Sequence, residues 1–209
     1  MKVLTTENII KIVDLMTEII LKNEVLFCEF DSHAGDGDLG MSLASGFRKL
    51  KEGRDGLEKD NIGAFLRSSG GIIAEYCGGA SGPIWGGAFK AAGRFADGKT
   101  EINLGELAAM LNASVEAIQK RGGAKLGDKT LLDALIPTAE SLKDSDKKGV
   151  DLKTAMKTAA KAAVDVAEKT KNMVASRGRA SYLGDRSIGY EDAGAKALGI
   201  IFTFISENL

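Results

Sequence analysis

Three aspartates, Asp31, Asp36 and Asp38, fall within eight residues of one another in the stretch DSHAGDGDLG. Read for its glycines alone, Gly35-x-Gly37-x-x-Gly40 matches a dinucleotide-binding fingerprint, follows the apolar run Val25–Phe30, and has Asp55 twenty residues on. Two of the variable positions are acidic, however, and carboxylates aimed at a pyrophosphate repel it unless positive charge lies between them. Hard oxygen donors at this spacing suit Mg²⁺, which takes carboxylates together with phosphate oxygens and water. A calcium loop starting at Asp36 is excluded, because its fifth, sixth and twelfth positions hold Gly40, Met41 and Phe47. Solvated turn aspartates are the plain alternative.

Three further segments combine glycine with polar residues. Gly78-Gly-Ala-Ser-Gly-Pro83 offers backbone N–H groups and the Ser81 hydroxyl ahead of a helix, an arrangement that suits an anion. Gly122-Gly-Ala-Lys-Leu-Gly-Asp-Lys-Thr130 approaches a P-loop but fails it, since Asp128 separates Gly127 from Lys129; Thr130-x-x-Asp133 reads instead as a capping box. The stretch Gly178-Arg-Ala-Ser-Tyr-Leu-Gly-Asp-Arg-Ser187 presents Arg179 and Arg186, whose guanidinium forks match phosphate oxygens, although either could be a surface arginine paired to a carboxylate.

The elements that must position these residues are helical. Thr6 can cap a first helix in which Ile9, Ile12, Val13, Met16 and Ile19 or Ile20 recur at three and four, and further patterns run over 40–52, 60–77, 86–95, 104–120, 130–144, 151–176 and 190–207. That predicts eight helices and no sheet, with Val25–Phe30 as the buried end of the first helix. Leu152, Ala155, Met156, Ala159, Ala163 and Val166 form a stripe of mostly small residues that lets neighbouring helices approach closely.

Composition narrows the function. The chain has 209 residues, 44% of them hydrophobic, and a net charge of −1, so it carries no field that would recruit nucleic acid or an acidic membrane. No apolar run is long enough to span a bilayer. The two cysteines, Cys28 and Cys77, are too few for a disulfide framework and read as small buried side chains in a reducing compartment, so a cytoplasmic location is expected. No linker or repeat interrupts the chain, and residues 1–209 read as a single domain.

In order and spacing, GDGDLGMSLASGF at 35–47, GGASGPIWGGAF at 78–89, GDKTLLDAL at 127–135 and GRASYLGDRSIG at 178–189 resemble the nucleotide-binding L subunits, DhaL, of bacterial dihydroxyacetone kinases of the phosphoenolpyruvate-dependent type. The resemblance implies an all-α fold, an antiparallel barrel of eight helices with a Mg-nucleotide site in the loops at one end. It implies that Asp31, Asp36 and Asp38 hold two Mg²⁺ ions. It places Leu39, Gly40, Met41, Ser42, Ala80, Ser81, Gly122, Leu131, Arg179, Asp192, Ala193 and Gly194 around ADP or ATP, with Arg179 on the transferring phosphoryl group. In such systems ADP stays bound, takes phosphate from a phosphohistidine of an M subunit and passes it to a keto-sugar held on a K subunit. The oligomeric state stays open, a homodimer included.

The chain departs from the family where members commonly read GDGDHG-Thr-Asn. Leu39 replaces the histidine, and Met41 and Ser42 replace Thr-Asn, so one polar contact to phosphate must be lost or substituted, and a paralogue acting on another short keto-sugar fits the pattern. The single histidine, His33, matches no family role and is expected to support the metal loop. Trp85 is expected either to anchor a partner surface at the nucleotide end or to lie in the core. Two other functions remain alongside the subunit reading, a self-sufficient ATP-dependent small-molecule kinase and a regulator that reports its nucleotide state.

Overall fold

A computed structural model describes residues 3–209. Among them nine α-helices form: α1 (Thr6–Lys22), α2 (Glu24–Ser32), α3 (Leu39–Glu52), α4 (Ile62–Tyr76), α5 (Gly87–Phe95), α6 (Leu104–Gly122), α7 (Leu132–Lys147), α8 (Leu152–Lys169) and α9 (Ala193–Asn208). Contacts run α1 to α3, then in sequence order to α9, and α9 returns to α1. Eight helices therefore close a ring around an apolar axis, which encloses a cavity of about 140 Å³ lined by residues such as Ile9, Trp85, Leu107 and Ile201. The short helix α2 stands outside this cycle, against α3 and α9.

Several local readings change. Thr5, not Thr6, is the first N-cap: its hydroxyl accepts from the Asn8 N–H while the Asn8 side chain accepts from the Thr5 N–H. Val25–Phe30 is helical but does not continue α1, because the chain breaks at Asn23 (φ −108°, ψ 20°). Only Phe27 of that run is buried, and Val25 is exposed, so the apolar run was a poor guide to burial. A two-stranded antiparallel ribbon, β1 (Val3–Thr5) with β2 (Glu101–Asn103), ties the start of α1 to the start of α6. It is too short to show as a strand pattern. The long helix expected over 151–176 stops at Lys169 and passes through a 3₁₀ turn at Thr170–Asn172.

The small-residue stripe of α8 is core as expected, except that Ala167 takes the buried position in place of Val166. Trp85 is also core. It lies in a π-helical turn, Gly82–Gly86, that runs into α5, and its ring meets Phe47 edge-on at 6.2 Å, so it anchors no partner surface. The π turn can sit this close to α4 because Gly86 has no side chain: a Cβ there would lie 2.6 Å from the Ala74 backbone nitrogen.

Two glycine substitutions separate packing from propensity. Gly86→Ala should destabilise by about 1–3 kcal/mol through overpacking. Gly71→Ala, within α4 and with nothing inside 4 Å of a Cβ, should stabilise by about 0.5–1 kcal/mol because alanine loses less backbone entropy. Urea unfolding of the two variants checks both signs.

Candidate functional site

The turn between α2 and α3 brings the three aspartates together. Asp31 lies in the last turn of α2, Asp36 in the connection, and Asp38 is the N-cap residue of α3. One carboxylate oxygen from each lies within 4.8 Å of the others. The glycines of the stretch make this convergence possible. A Cβ on Gly35 would sit 2.1 Å from Asp31 Oδ1, and one on Gly40 would sit 1.8 Å from the Glu24 carbonyl oxygen, so α3 can start directly against the start of α2. Gly37 turns the chain between Asp36 and Asp38 at φ +75°. The Asp38 N–H donates to Asp31 Oδ2 at 3.1 Å, which aims one carboxylate at the next residue of the cluster.

The electrostatics suit a cation. Asp38 is held above the usual carboxylate range, first by burial, then by the charges of Asp36 and Asp31, with Arg179 acting in the opposite sense. The donor set is all oxygen, as Mg²⁺ prefers, and three carboxylates this close together are relieved by a divalent ion. Arg179 Nη2 meets Asp36 Oδ2 at 2.7 Å. Both partners are open to solvent, with side chains 63% and 33% exposed, so the pair is worth less than about 1 kcal/mol and is cheap to exchange for another anion.

Beside the cluster a pocket of about 320 Å³ opens between the ends of α2, α6 and α9. Of the residues expected there, Asp31, Leu39, Gly122, Leu131, Arg179, Asp192, Ala193 and Gly194 line it. Gly40, Met41, Ser42, Ala80 and Ser81 do not. Gly40 is buried against α2, Met41 is exposed, and Gly78 leans on Ser42, where a Cβ would lie 2.8 Å from Oγ. Ala80 and Ser81 sit at the entry to the π turn, where Ile84 N–H donates to the Ala80 carbonyl. Arg186 stays exposed, its Nε directed at the Leu183 carbonyl, and takes no part in the pocket. His33 stacks on Tyr190, with ring centroids 4.8 Å apart. Leu39 joins Phe30, Ile84 and Ile118 in the apolar part of the wall, so the replacement of the customary histidine extends an apolar surface.

Next to the expected Asp192, the structure brings together Asp128, Lys129 and Asp133, which spacing alone did not single out as a group. Asp133 is fully buried; its carboxylate accepts from Gly127 N–H at 2.6 Å and Thr130 N–H at 2.7 Å. Thr130 Oγ1 accepts from Leu132 N–H, so the capping box is present only in its returning half. Asp128 accepts from Lys125 N–H and from Ser176 Oγ. Lys129 is buried and adopts φ +59°, the one non-glycine residue with positive φ among those described. Asp192 caps α9 by accepting from Ala195 N–H at 2.8 Å, and its carboxyl is pushed up to about 7, chiefly by burial. Cys28 and Cys77 are unpaired; Cys77 is buried, whereas Cys28 is half-buried and accepts from Met41 N–H.

Residues 33–207 match the DAK2 domain family. The chain is 38% identical over 200 residues to the ADP-binding subunit DhaL of PEP-dependent dihydroxyacetone kinase 2 from Listeria innocua, covering 93% of this chain and 90% of that protein. It is 33% identical over 207 residues to an L-erythrulose 1-kinase of Mycolicibacterium smegmatis, covering 97% of this chain but only 35% of that protein. A crystal structure of the dihydroxyacetone kinase from C. freundii in complex with AMP-PNP and Mg²⁺ superposes with a TM-score of 0.76 at 28% identity, over 95% of this chain and 33% of that one. The chain thus spans about a third of the two larger kinases. No described helix is long and apolar enough to cross a membrane.

The raised carboxyl of Asp192 sets a pH dependence. The fold favours its neutral form more than the unfolded chain does, so its contribution is fully present below the ordinary value of 3.8 and is lost as pH rises through about 7. In EDTA, stability should therefore fall across that window, and Asp192→Asn, which keeps a competent cap, should flatten the fall. Thermal unfolding from pH 4 to 8 measures it.

Proposed function

Because this chain belongs to the DAK2 domain family, we propose that it is the ADP-binding subunit of a multi-subunit kinase for dihydroxyacetone or a related short keto-sugar, working in the cytoplasm as one domain over residues 1–209. The observation that carries this reading is the convergence of Asp31, Asp36 and Asp38 at the mouth of a pocket whose rim holds Arg179. The three carboxylates would hold two Mg²⁺ ions, which when bound neutralise phosphate charge and orient its oxygens. Leu39, Gly122, Leu131 and Asp192 to Gly194 would enclose ADP. Gly40, Met41, Ser42, Ala80 and Ser81 would then serve through backbone placement near the phosphates and not through the pocket wall.

Phosphoryl transfer asks the protein mainly for positioning and charge neutralisation. In this reading Arg179 leaves Asp36 for the transferring phosphoryl group, an exchange favoured once metal takes up the carboxylate charge. The phosphate would come from a phosphohistidine on an M subunit and pass to a sugar held on a K subunit. In this reading the polar residues described at the site bind nucleotide, metal and the loops themselves, and His33 is engaged with Tyr190, so the sugar would be held by the partner. The partner would close over the nucleotide end and exclude water. The similarity to an erythrulose kinase and the Leu39 substitution keep the choice of keto-sugar broad.

Mass spectrometry of the purified protein is expected to find bound ADP, and the chain with Mg-ATP but no partner should phosphorylate no keto-sugar; robust turnover alone would favour the self-sufficient kinase. With the partners present, Arg179→Lys should lower turnover by about 10²–10³-fold, with a smaller loss of ADP affinity, since a planar fork on developing charge is replaced by a point charge. A rate near wild type would remove Arg179 from the transfer step.

A further inference from the structure

Lys129 bears two unfavourable features at one position. It is 1% exposed, and its backbone lies in the left-handed region that glycine occupies most readily. Its side-chain amine donates to two carbonyl oxygens, Met173 at 3.1 Å and Ser187 at 2.5 Å, that stand at the two ends of one excursion of the chain. That excursion carries Arg177, Gly178, Arg179 and Ala180 along the pocket rim. Its middle has little else to hold it: Tyr182 is almost fully exposed, and Gly184 breaks the 3₁₀ turns of Arg179–Ser187 at φ 54°, ψ −130°. Apart from the solvent-exposed Arg179–Asp36 pair, the remaining ties to the rest of the fold cluster at the same base. Ser187 Oγ accepts from Ala175 N–H, and Ser176 N–H donates to the carbonyl of Asp128, the neighbour of Lys129.

A backbone conformation suited to glycine, filled by a buried lysine, indicates that the amine is needed there. We propose that Lys129 is a positioning residue, whose amine pins Met173 to Ser187 and so fixes the base of the segment that presents Arg179 to the carboxylate cluster. The proposal rests on the functional reading for the role of Arg179, whereas the clamp itself is a property of the nucleotide-free protein. Lys129→Gly is the informative variant, because it relaxes the backbone while deleting the amine; Lys129→Met keeps the length of the side chain and deletes only its donors.

Backbone hydrogen exchange on the ADP-free protein should show residues 174–189 losing at least tenfold protection in both variants, with α4 and α8 unchanged as the control for folding. In the complete phosphotransfer system Lys129→Gly should lower kcat at least tenfold in the wild-type background and less than threefold in the Arg179→Lys background, as expected when one residue acts through the other. Wild-type protection in Lys129→Gly, additive losses in the double variant, or global unfolding of both single variants would each overturn the positioning role. Failure of the wild type to bind ADP would overturn the functional reading and leave the exchange result to decide the clamp.

Discussion

Three carboxylates brought within 4.8 Å of one another repel, and the upper part of the molecule is organised around tolerating that repulsion. Helix α2 exists as a separate element so that Asp31 can face back toward the start of α3. Gly35 and Gly40 remove the side chains that would keep α2 and α3 apart. Arg179 supplies the nearest compensating charge in the absence of metal, through a solvent-exposed pair weak enough to yield to a cation. The glycine-rich stretch is thus primarily a device for converging acids, and in the proposed reading any phosphate it meets would be approached through metal.

The ring of eight helices provides the rigidity this requires. Close approach of α8 to its neighbours comes from Ala155, Ala159, Ala163 and Ala167, and from Gly199 of α9, where a Cβ would lie 3.3 Å from a Val164 methyl carbon. Because α9 packs on α8, α1 and α2, its N-cap Asp192 and first residues Ala193 and Gly194 are fixed relative to the helix that carries Asp31. The apolar axis and the polar rim are consequently two ends of one packing arrangement.

Around the pocket lies a set of buried polar groups whose task is to hold backbone. Asp133 gathers the N–H groups of Gly127 and Thr130, Asp128 fastens Lys125 and Ser176, and Lys129 reaches the carbonyls of Met173 and Ser187. Buried polar groups are costly unless each is satisfied, and here every one has its partners. Loops that must present Arg179 and the pocket wall gain their order from these bonds in place of a sheet or a disulfide.

By itself the sequence determined the helical class, the positions of most helices to within a few residues, and the acidic cluster, because periodicity and short-range spacing depend only on neighbours along the chain. It also carried the family resemblance, since four motifs in order are specific without any coordinates. What only the tertiary structure decided are matters of distant contact. The break at Asn23 turns on how α2 must pack, and the burial of Trp85 depends on Phe47, nearly forty residues away. Met41, Ser42, Ala80 and Ser81 stand apart from the pocket wall because α3 and the π turn place them elsewhere. The roles of Asp128 and Lys129 emerge only when residues 173–187 fold back over them, since a lysine or aspartate in a loop has no readable partner until the partner's segment arrives, whereas Asp133 bonds to neighbours within six residues and half of its role was legible as a capping box.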